Sequence, residues 1–376
     1  MAGDLQEEKL ARVRLNFFAC FKSDWLLRLI GLYGGAAELL RRPPAEIAGE
    51  GGVSFETALR LARETAAADP EKELKLAAKA GVAVLTALDA DYPALLKTIY
   101  DPPLALYVLG KIENMPAAAI VGTRKATPYG LRTAARLARE LSSMGVAVVS
   151  GLARGIDTAS HQAALAEGGV TWAALGSGLD NIYPMENRKL ARQIADSGGA
   201  VLSEFPMAAT PLPVNFPRRN RVISGLSLAT VVVEGGFESG ALITARFALD
   251  HGREVLAVPG QVDSPMSKGP NSLIKDGAYP AESGQDIVAC FPADSLYGLD
   301  LKAPKPKEDG SARKLKELSP DAGKAYGAIK ALENGLNTDE LTMQLSWPVQ
   351  RAAAALFELE VSSLVVSRGG RYSIAI

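Results

Sequence analysis

The sequence predicts an α/β protein with a doubly wound, mostly parallel sheet, and three observations predict it. From Val82 to about Phe291, short apolar runs alternate with longer amphipathic ones. The runs Ala117 to Gly122, Val146 to Ser150, Val170 to Leu175, Ala200 to Leu202, Ala229 to Glu234 and Glu254 to Val258 are rich in Val and Ala without polar alternation. That composition fits strands buried on both faces under helices. Nearly every run is followed by Gly or Ser and then by a helical pattern. In such sheets ligands bind outside the carboxyl ends of the strands, so function is expected in those loops.

The flanking elements follow in order. Up to about Thr65, Leu15, Phe18, Phe21, Trp25 and Leu29 recur at helical spacing, broken by Gly31, Gly34, Gly35 and Pro43-Pro44. They predict a small helical domain over residues 1–80, with short helices around Gly-containing turns as in SAM or helix-hairpin-helix modules. A helical docking domain without a ligand is the other reading. A charged, Ala-rich helix from Phe55 to Ala80 leads into the sheet domain, residues 81–294. Residues 295–318, including Lys302-Ala-Pro-Lys-Pro-Lys-Glu308, have the low hydrophobicity of a linker. Beyond it, residues 319–376 show helical patterns at Asp321 to Leu332, Thr338 to Leu345 and Pro348 to Glu360, then two short strands around Gly369-Gly370. Asn337 and Glu340 are spaced as a capping box, and three helices with a hairpin predict a winged helix.

Composition narrows the chemistry. A chain of 376 residues with 48% hydrophobic and 22% charged residues suggests two or three ordinary domains. No apolar run reaches the roughly 18 residues of a membrane span, and Met1 to Arg14 lacks the order of a signal peptide, so a cytoplasmic location is expected. Cys20 and Cys290 are too far apart in sequence for a zinc or redox pattern, and His161 and His251 are the sole imidazoles. Neither a metal nor a cofactor is expected. A net charge of −1 requires any nucleic-acid site to concentrate its positive charge, and from Ala117 to Cys290 there are 16 basic against 15 acidic residues.

The loops after the strands carry the candidate site. Val121-Gly122-Thr123-Arg124-Lys125 precedes a helix and combines close backbone approach, free N–H groups and a planar guanidinium suited to phosphate. Ser150-Gly151-Leu-Ala-Arg154-Gly155-Ile-Asp157 repeats the design, with Asp157 placed to cap the helix that carries His161. Gly176-Ser177-Gly178 lacks the last glycine of the dinucleotide fingerprint, and no GxxxxGK[ST] loop occurs. Glu234-Gly235-Gly236-Phe237-Glu238-Ser239-Gly240 offers N–H donors at another helix start. Asn215-Phe216-Pro217-Arg218-Arg219-Asn220-Arg221 combines three arginines with an aromatic just before a helix, which suits a single strand with unstacked bases. The alternative is a core Phe216 and a solvated arginine face. His161 has no identifiable Ser, Cys or carboxylate partner for catalysis and reads as a hydrogen-bonded helix residue.

Taken together these loops resemble the DNA-processing protein A (DprA/Smf) family. The matching order is Tyr92-Pro93, Val121-Gly-Thr-Arg124, Ser150 to Asp157, Tyr183-Pro184, Phe216 to Arg221, Glu234-Gly-Gly and Ser239-Gly-Ala. Thr244-Ala-Arg246, Val258-Pro259-Gly260 and Gly269 to Gly277 add to it. The resemblance implies an extended Rossmann-like fold that forms homodimers, and a bacterial mediator that coats incoming single-stranded DNA in natural transformation, shields it and helps to load the recombinase RecA. It also implies that Arg124, the Ser150-Gly151 turn, Phe216, Arg219 and Arg221 form or border the strand pocket, with Phe216 the stacking residue.

Two features depart from a simple DNA reader. From Asn337 onward, Asp339, Glu340, Glu358 and Glu360 oppose Arg351, Arg368 and Arg371, and the expected recognition helix offers only Gln350 and Arg351 as DNA contacts. Protein docking is the expected role there. A competing reading is an enzyme, because related Rossmann-like proteins that cleave nucleotide N-glycosidic bonds place a catalytic glutamate just after a Gly-Gly turn. Here Ala241, Leu242 and Ile243 stand at that place, so no catalytic residue is assigned.

Overall fold

The computed structural model describes residues 2–18, 24–292, 318–330, 336–362, 364–368 and 370–374. Contacts divide the chain into two compact units, Met1–Pro304 and Lys305–Ile376. Most of the stretch expected as a linker, residues 295–317, lies outside the described residues, as do Cys20, Phe21 and the hairpin position Gly369.

The first unit opens with six helices, α1 (Ala2–Asn16), α2 (Asp24–Leu32), α3 (Ala36–Arg41), α4 (Pro44–Gly51), α5 (Phe55–Ala67) and α6 (Pro70–Lys79). Leu15, Phe18, Leu29, Leu39 and Leu61 form their shared core. The single helix expected from Phe55 to Ala80 is two. Ahead of Pro70 the backbone is extended at Asp69, because the pyrrolidine ring disfavours helical geometry in the residue before it, and the Asp69 carboxylate caps α6 by accepting from Lys72 N–H at 2.9 Å.

Next come β1 (Val82–Leu85), α7 (Ala94–Lys97), β2 (Leu106–Gly110), β3 (Ala117–Val121), α8 (Pro128–Ser143), β4 (Ala147–Ser150), α9 (Ile156–Ala166), β5 (Thr171–Leu175), α10 (Arg188–Asp196) and β6 (Ala200–Ser203). They continue into α11 (Asn215–Gly225), β7 (Ala229–Val232), α12 (Gly240–Asp250), β8 (Glu254–Ala257), α13 (Lys268–Lys275), β9 (Tyr279–Pro280) and α14 (Gly284–Ala289). The strands form one sheet in the order β1-β2-β6-β5-β4-β3-β7-β8-β9. From β6 to β9 all pairs are parallel, while β1 and β2 add an antiparallel edge. All six strands expected from the apolar runs are present. Of the three additional ones, β1 and β9 are the edge strands, where burial no longer dictates composition: in β1 only Val82 and Val84 are buried, and both residues of β9 are exposed, whereas β2 is paired on both sides and buries Leu106, Tyr107 and Val108.

Burial on both faces is visible within one strand. Ala117, Ala119 and Val121 of β3 point into one core, with Leu96, Val222 and Leu226, whereas Ala118 and Ile120 point into another, with Leu137, Leu141 and Ile156. This is the doubly wound, Rossmann-like architecture. The chain runs from β3 through β4 and β5 to β6 on one side, then returns to place β7 on the other side of β3. That reversal opens a crevice at the carboxyl ends of β3, β4 and β7.

The second unit contains α15 (Pro320–Lys330), β10 (Leu336–Asn337), α16 (Thr338–Leu345), α17 (Val349–Val361), β11 (Val365–Arg368) and β12 (Arg371–Ile374), with a sheet ordered β10-β12-β11. Asn337 forms the capping box with Glu340: its Oδ1 accepts from Glu340 N–H at 2.8 Å, and its own N–H donates to Glu340 Oε2 at 3.0 Å. Tyr326, Ile329, Leu341, Leu356 and Leu359 pack the core. Arg351 is held by Asp321 at 2.6 Å and lies over Trp347, which removes one of the two DNA contacts expected on α17.

Candidate nucleic-acid interface

A cavity of about 720 Å³ occupies the crevice at the β3, β4 and β7 carboxyl ends. Gly122, Thr123 and Arg124 form one wall, Phe216 and Arg219 the floor, and Ser239 and Gly240 the far side, at the start of α12. The β3 loop is fixed to β7: Thr123 N–H donates to Glu234 O at 2.8 Å, and the buried Glu234 carboxylate accepts from Thr127 N–H at 2.9 Å and Thr127 Oγ1–H at 2.6 Å. A Cβ on Gly122 would meet the Ile156 side chain at 2.5 Å, so this loop hugs the α9 start as only glycine permits.

The β4 loop is held from within. Asp157 does not cap α9 as expected; its Oδ2 accepts from Gly151 N–H at 3.1 Å and Ala153 N–H at 3.2 Å, reaching back into the turn that precedes the helix. Gly155 takes that turn at φ +77°, where a Cβ would strike Thr123 O at 2.4 Å. Buried Leu152 adopts φ +58°, its carbonyl held by Asn187 Nδ2–H at 2.8 Å. Burial pushes the Asp157 carboxyl up, against the opposing pull of Arg219 and the backbone N–H groups. It is the one carboxylate lining the large cavity among the described residues.

The arginine segment is the helix α11 itself, not a stretch before one; Arg218 and Arg221 converge on Glu204, while Arg219 turns toward the cavity. Arg219 reaches beneath the cavity and donates to Gly151 O at 2.7 Å and to Ala174 O; burial pulls its pKa down to about 10. Arg218 pairs with Glu204 at 2.8 Å and lies over Phe205. Arg221, 2% exposed, pairs with Glu204 at 2.5 Å and Asp101 at 3.4 Å. Burial works against its charge, but Glu204 and Asp101 outweigh burial and hold the guanidinium more firmly protonated than usual. The expectation that Arg221 borders the strand pocket as a phosphate contact is therefore corrected: its positive charge is spent inside the protein. Ser150 is likewise internal, donating to Ile120 O at 2.6 Å, because the last residue of a two-sided strand points into the core. Asn220 donates to Gly240 O at 3.1 Å, tying α11 to the start of α12.

What faces outward is smaller and aromatic. Arg124 is exposed and its guanidinium lies 5.3 Å from the centre of the Phe216 ring. The partly buried Phe216 ring rests on Gly176, where a Cβ would stand 2.8 Å from ring Cδ1. Tyr183 stands beside it, ring centres 5.7 Å apart and planes inclined by 56°. Phe216 is thus neither plain core nor a free platform; one side is taken by protein and another by Arg124. Arg154 is exposed and paired with Glu186. Sequence reasoning assigned Tyr183 no role, although Tyr183-Pro184 after a loop at the same sheet edge was the available signal.

His161 lies away from the cavity. It is fully buried, with Nδ1 2.7 Å from Thr171 Oγ1, and burial depresses its pKa to about 3. No cluster of His, Cys, Asp and Glu among the described residues could hold a metal, and no helix there is long and apolar enough to cross a membrane.

Comparison with known proteins gives this site a context. Protein Smf of Escherichia coli is 37% identical over 293 residues, 75% of this chain and 74% of that protein. DNA processing protein DprA of Streptococcus pneumoniae is 42% identical over 206 residues, 54% of this chain and 72% of that protein. The X-ray structure of the Streptococcus pneumoniae protein superposes with a TM-score of 0.64 at 33% identity, covering 74% of this chain and 96% of that one. A Helicobacter pylori DNA processing protein A structure, described as showing a unique single-stranded DNA binding mode, covers 55% of this chain and 94% of its own, with a TM-score of 0.50 at 30% identity. The family model for DNA recombination-mediator protein A matches residues 83–292, the span that contains the whole crevice, and the chain belongs to that family.

Proposed function

We propose that this chain binds single-stranded DNA at the crevice and serves as a recombination mediator that protects incoming strands and helps to load RecA, without catalysis, as a cytoplasmic homodimer. The observation that carries the reading is the exposed Arg124 beside the Phe216 and Tyr183 rings at the mouth of a cavity at the sheet's topological switch point. A cation next to aromatic faces supplies what an unpaired strand presents, phosphate charge and open base faces, and a duplex would leave the rings unused. The relatives named for DNA processing and for single-strand binding support the same reading. Gly122, Thr123, Arg124, Gly151, Arg154, Gly155, Phe216, Arg219 and Asn220 shape or line this mouth, while Arg218 supports it through Glu204. The helical segment 1–80 and the winged helix 319–376 are assigned docking roles.

The test is fluorescence anisotropy with labelled oligo-dT and its duplex across a salt series, for the parent protein, Arg124→Ala and Phe216→Ala. Preference for the single strand, with weaker binding in both variants, is the expected result; equal binding to both forms of DNA, untouched by either variant, overturns the reading. Sedimentation that shows only monomer across micromolar concentrations removes the dimer.

Asp157 favours one alternative, a nucleotide N-glycosidic hydrolase, since a cavity-lining carboxyl pushed up by burial is the kind of group that donates protons. Release of free base from nucleoside monophosphates by the parent protein, abolished in Asp157→Asn, would establish it.

A further inference from the structure

We infer that the bound strand leaves the crevice over Tyr183 and continues along the outer face of α10, where Arg188, Lys189 and Arg192 take its phosphates; the inference rests on the single-strand reading above. Phe216 has little free ring surface, being backed by Gly176 and covered by Arg124. Tyr183 is 39% exposed and already touches Phe216, so the next base face open to stacking is that of Tyr183, not a gap between the two rings. The loop carrying it is stiff: Asn181 Nδ2–H donates to Ala208 O at 2.9 Å, and Asn187 Nδ2–H to Leu152 O and Thr158 Oγ1, both at 2.8 Å.

Directly after this loop, α10 buries Leu190, Ala191 and Ile194 and turns Arg188, Lys189 and Arg192 to solvent. Arg188 and Arg192 are four residues apart and therefore lie on one line along the helix, one turn from each other. None of the three has an ion-pair partner among the described residues, in contrast to Arg154, whose neighbour Glu186 is thereby already neutralised. Exposed Asp180 lies before the loop and Asp196 closes the far end of α10, so the positive stretch has bounds. Between Lys125 and Arg132 in the chain stands the exposed Tyr129, whose hydroxyl donates to Pro259 O at 2.8 Å; it is the Tyr183 ring that meets Phe216.

The test compares labelled oligo-dT of about four and about twenty nucleotides, the length range spanned by single-strand site sizes. For the Arg188→Ala/Lys189→Ala/Arg192→Ala protein, the slope of log affinity against log salt is expected to flatten by about 2 with the long oligomer, roughly 0.7 for each phosphate no longer neutralised, and to stay unchanged with the short one. Tyr183→Leu is expected to weaken long-strand binding about tenfold and Tyr183→Phe to preserve it, since stacking needs the ring and not the hydroxyl. An unchanged slope, an equal loss at both lengths, an equal loss from Arg132→Ala/Arg139→Ala, two exposed positions on α8, or harm from Tyr183→Phe matching that from Tyr183→Leu overturns the path. If the parent protein fails to bind, or Arg124→Ala binds as well as the parent, the single-strand reading itself has failed. If Arg124→Ala weakens binding and the α10 variants do not, only the exit path has failed.

Discussion

The arginines of the crevice divide into an inward set and an outward set. Arg219 and Arg221 end on backbone carbonyls, Glu204 and Asp101, with almost no exposure. Arg124 ends on an aromatic ring in solvent, and Arg154 on an exposed carboxylate. The inward set builds the shape of the crevice, and the outward set meets what enters it. The difference teaches that an arginine-rich motif is not by itself a phosphate site: a buried guanidinium whose charge is engaged by protein carboxylates and carbonyls is withheld from a ligand.

The largest expected effect breaks the inward set. Arg221→Ala takes the guanidinium from buried Asp101 and leaves Arg218 as the remaining arginine on Glu204, and removal of one partner from a buried ion pair costs about 3 to 5 kcal/mol. Urea unfolding should show that loss, while DNA affinity per folded molecule stays near that of the parent. A variant with intact stability and reduced affinity would move Arg221 to the outward set.

His161 offers a second probe of the interior. Burial holds its folded pKa at about 3, below the usual 6.5 or so of the unfolded chain. Between those values the unfolded chain binds more protons, so stability is fully present above about pH 6.5 and falls as pH drops toward 3. From pH 7 to pH 5 this amounts to about 2 kcal/mol, at about 1.4 kcal/mol per unit. His251, whose pKa burial lowers to about 4, acts in the same direction. His161→Gln isolates the first contribution: its unfolding midpoint should depend less steeply on pH over this range than the parent's, and parallel curves would contradict the assignment.

A third substitution sits where the two sets meet. Gly176 supports the Phe216 ring from below, and a methyl group there would stand within 2.8 Å of it. Because the ring borders an open cavity it can swing outward, so Gly176→Ala is expected to weaken oligo-dT binding several-fold, about 1 kcal/mol, the lower end of overpacking costs, with little change in stability. A stability loss without a binding loss would make Phe216 a core residue after all.

These probes also show what could be read in advance. The six central strands were legible because burial on both faces favours apolar side chains, and β1 and β9 were not, because edge strands escape that demand; for β2, paired on both sides, the run Leu106 to Leu109 was the available signal. The loops at the crevice were legible as glycine-bearing turns before helices. The directions of the arginines were not: a helix turns about 100° per residue, so Arg218 and Arg221, three apart, share a face and meet at Glu204 while Arg219 points elsewhere, and their identity as arginines says nothing of which one meets solvent. Asp157 misled for a related reason. It begins a helix, but the unpaired N–H groups nearest its carboxylate belong to Gly151 and Ala153 in the preceding turn.

The smallest expected effect tests the boundary of the outward set. Arg154 and Glu186 are paired at the surface, with 61% and 51% of their side chains exposed, and each holds the other in its charged form. Such a pair adds little to stability, since water and salt screen both partners. Its consequence lies in binding: while Glu186 occupies the guanidinium, Arg154 contributes little to the field at the cavity mouth. Glu186→Gln leaves a neutral side chain of nearly the same shape and frees the guanidinium for a phosphate. The expected result is an unchanged melting temperature, single-strand affinity raised about twofold at low salt, and a salt slope steeper by about 0.7, as for one further phosphate neutralised. An unchanged slope would place Arg154 outside the strand's reach, leaving Arg124 and the α10 cations as the positive charges that define the strand's course.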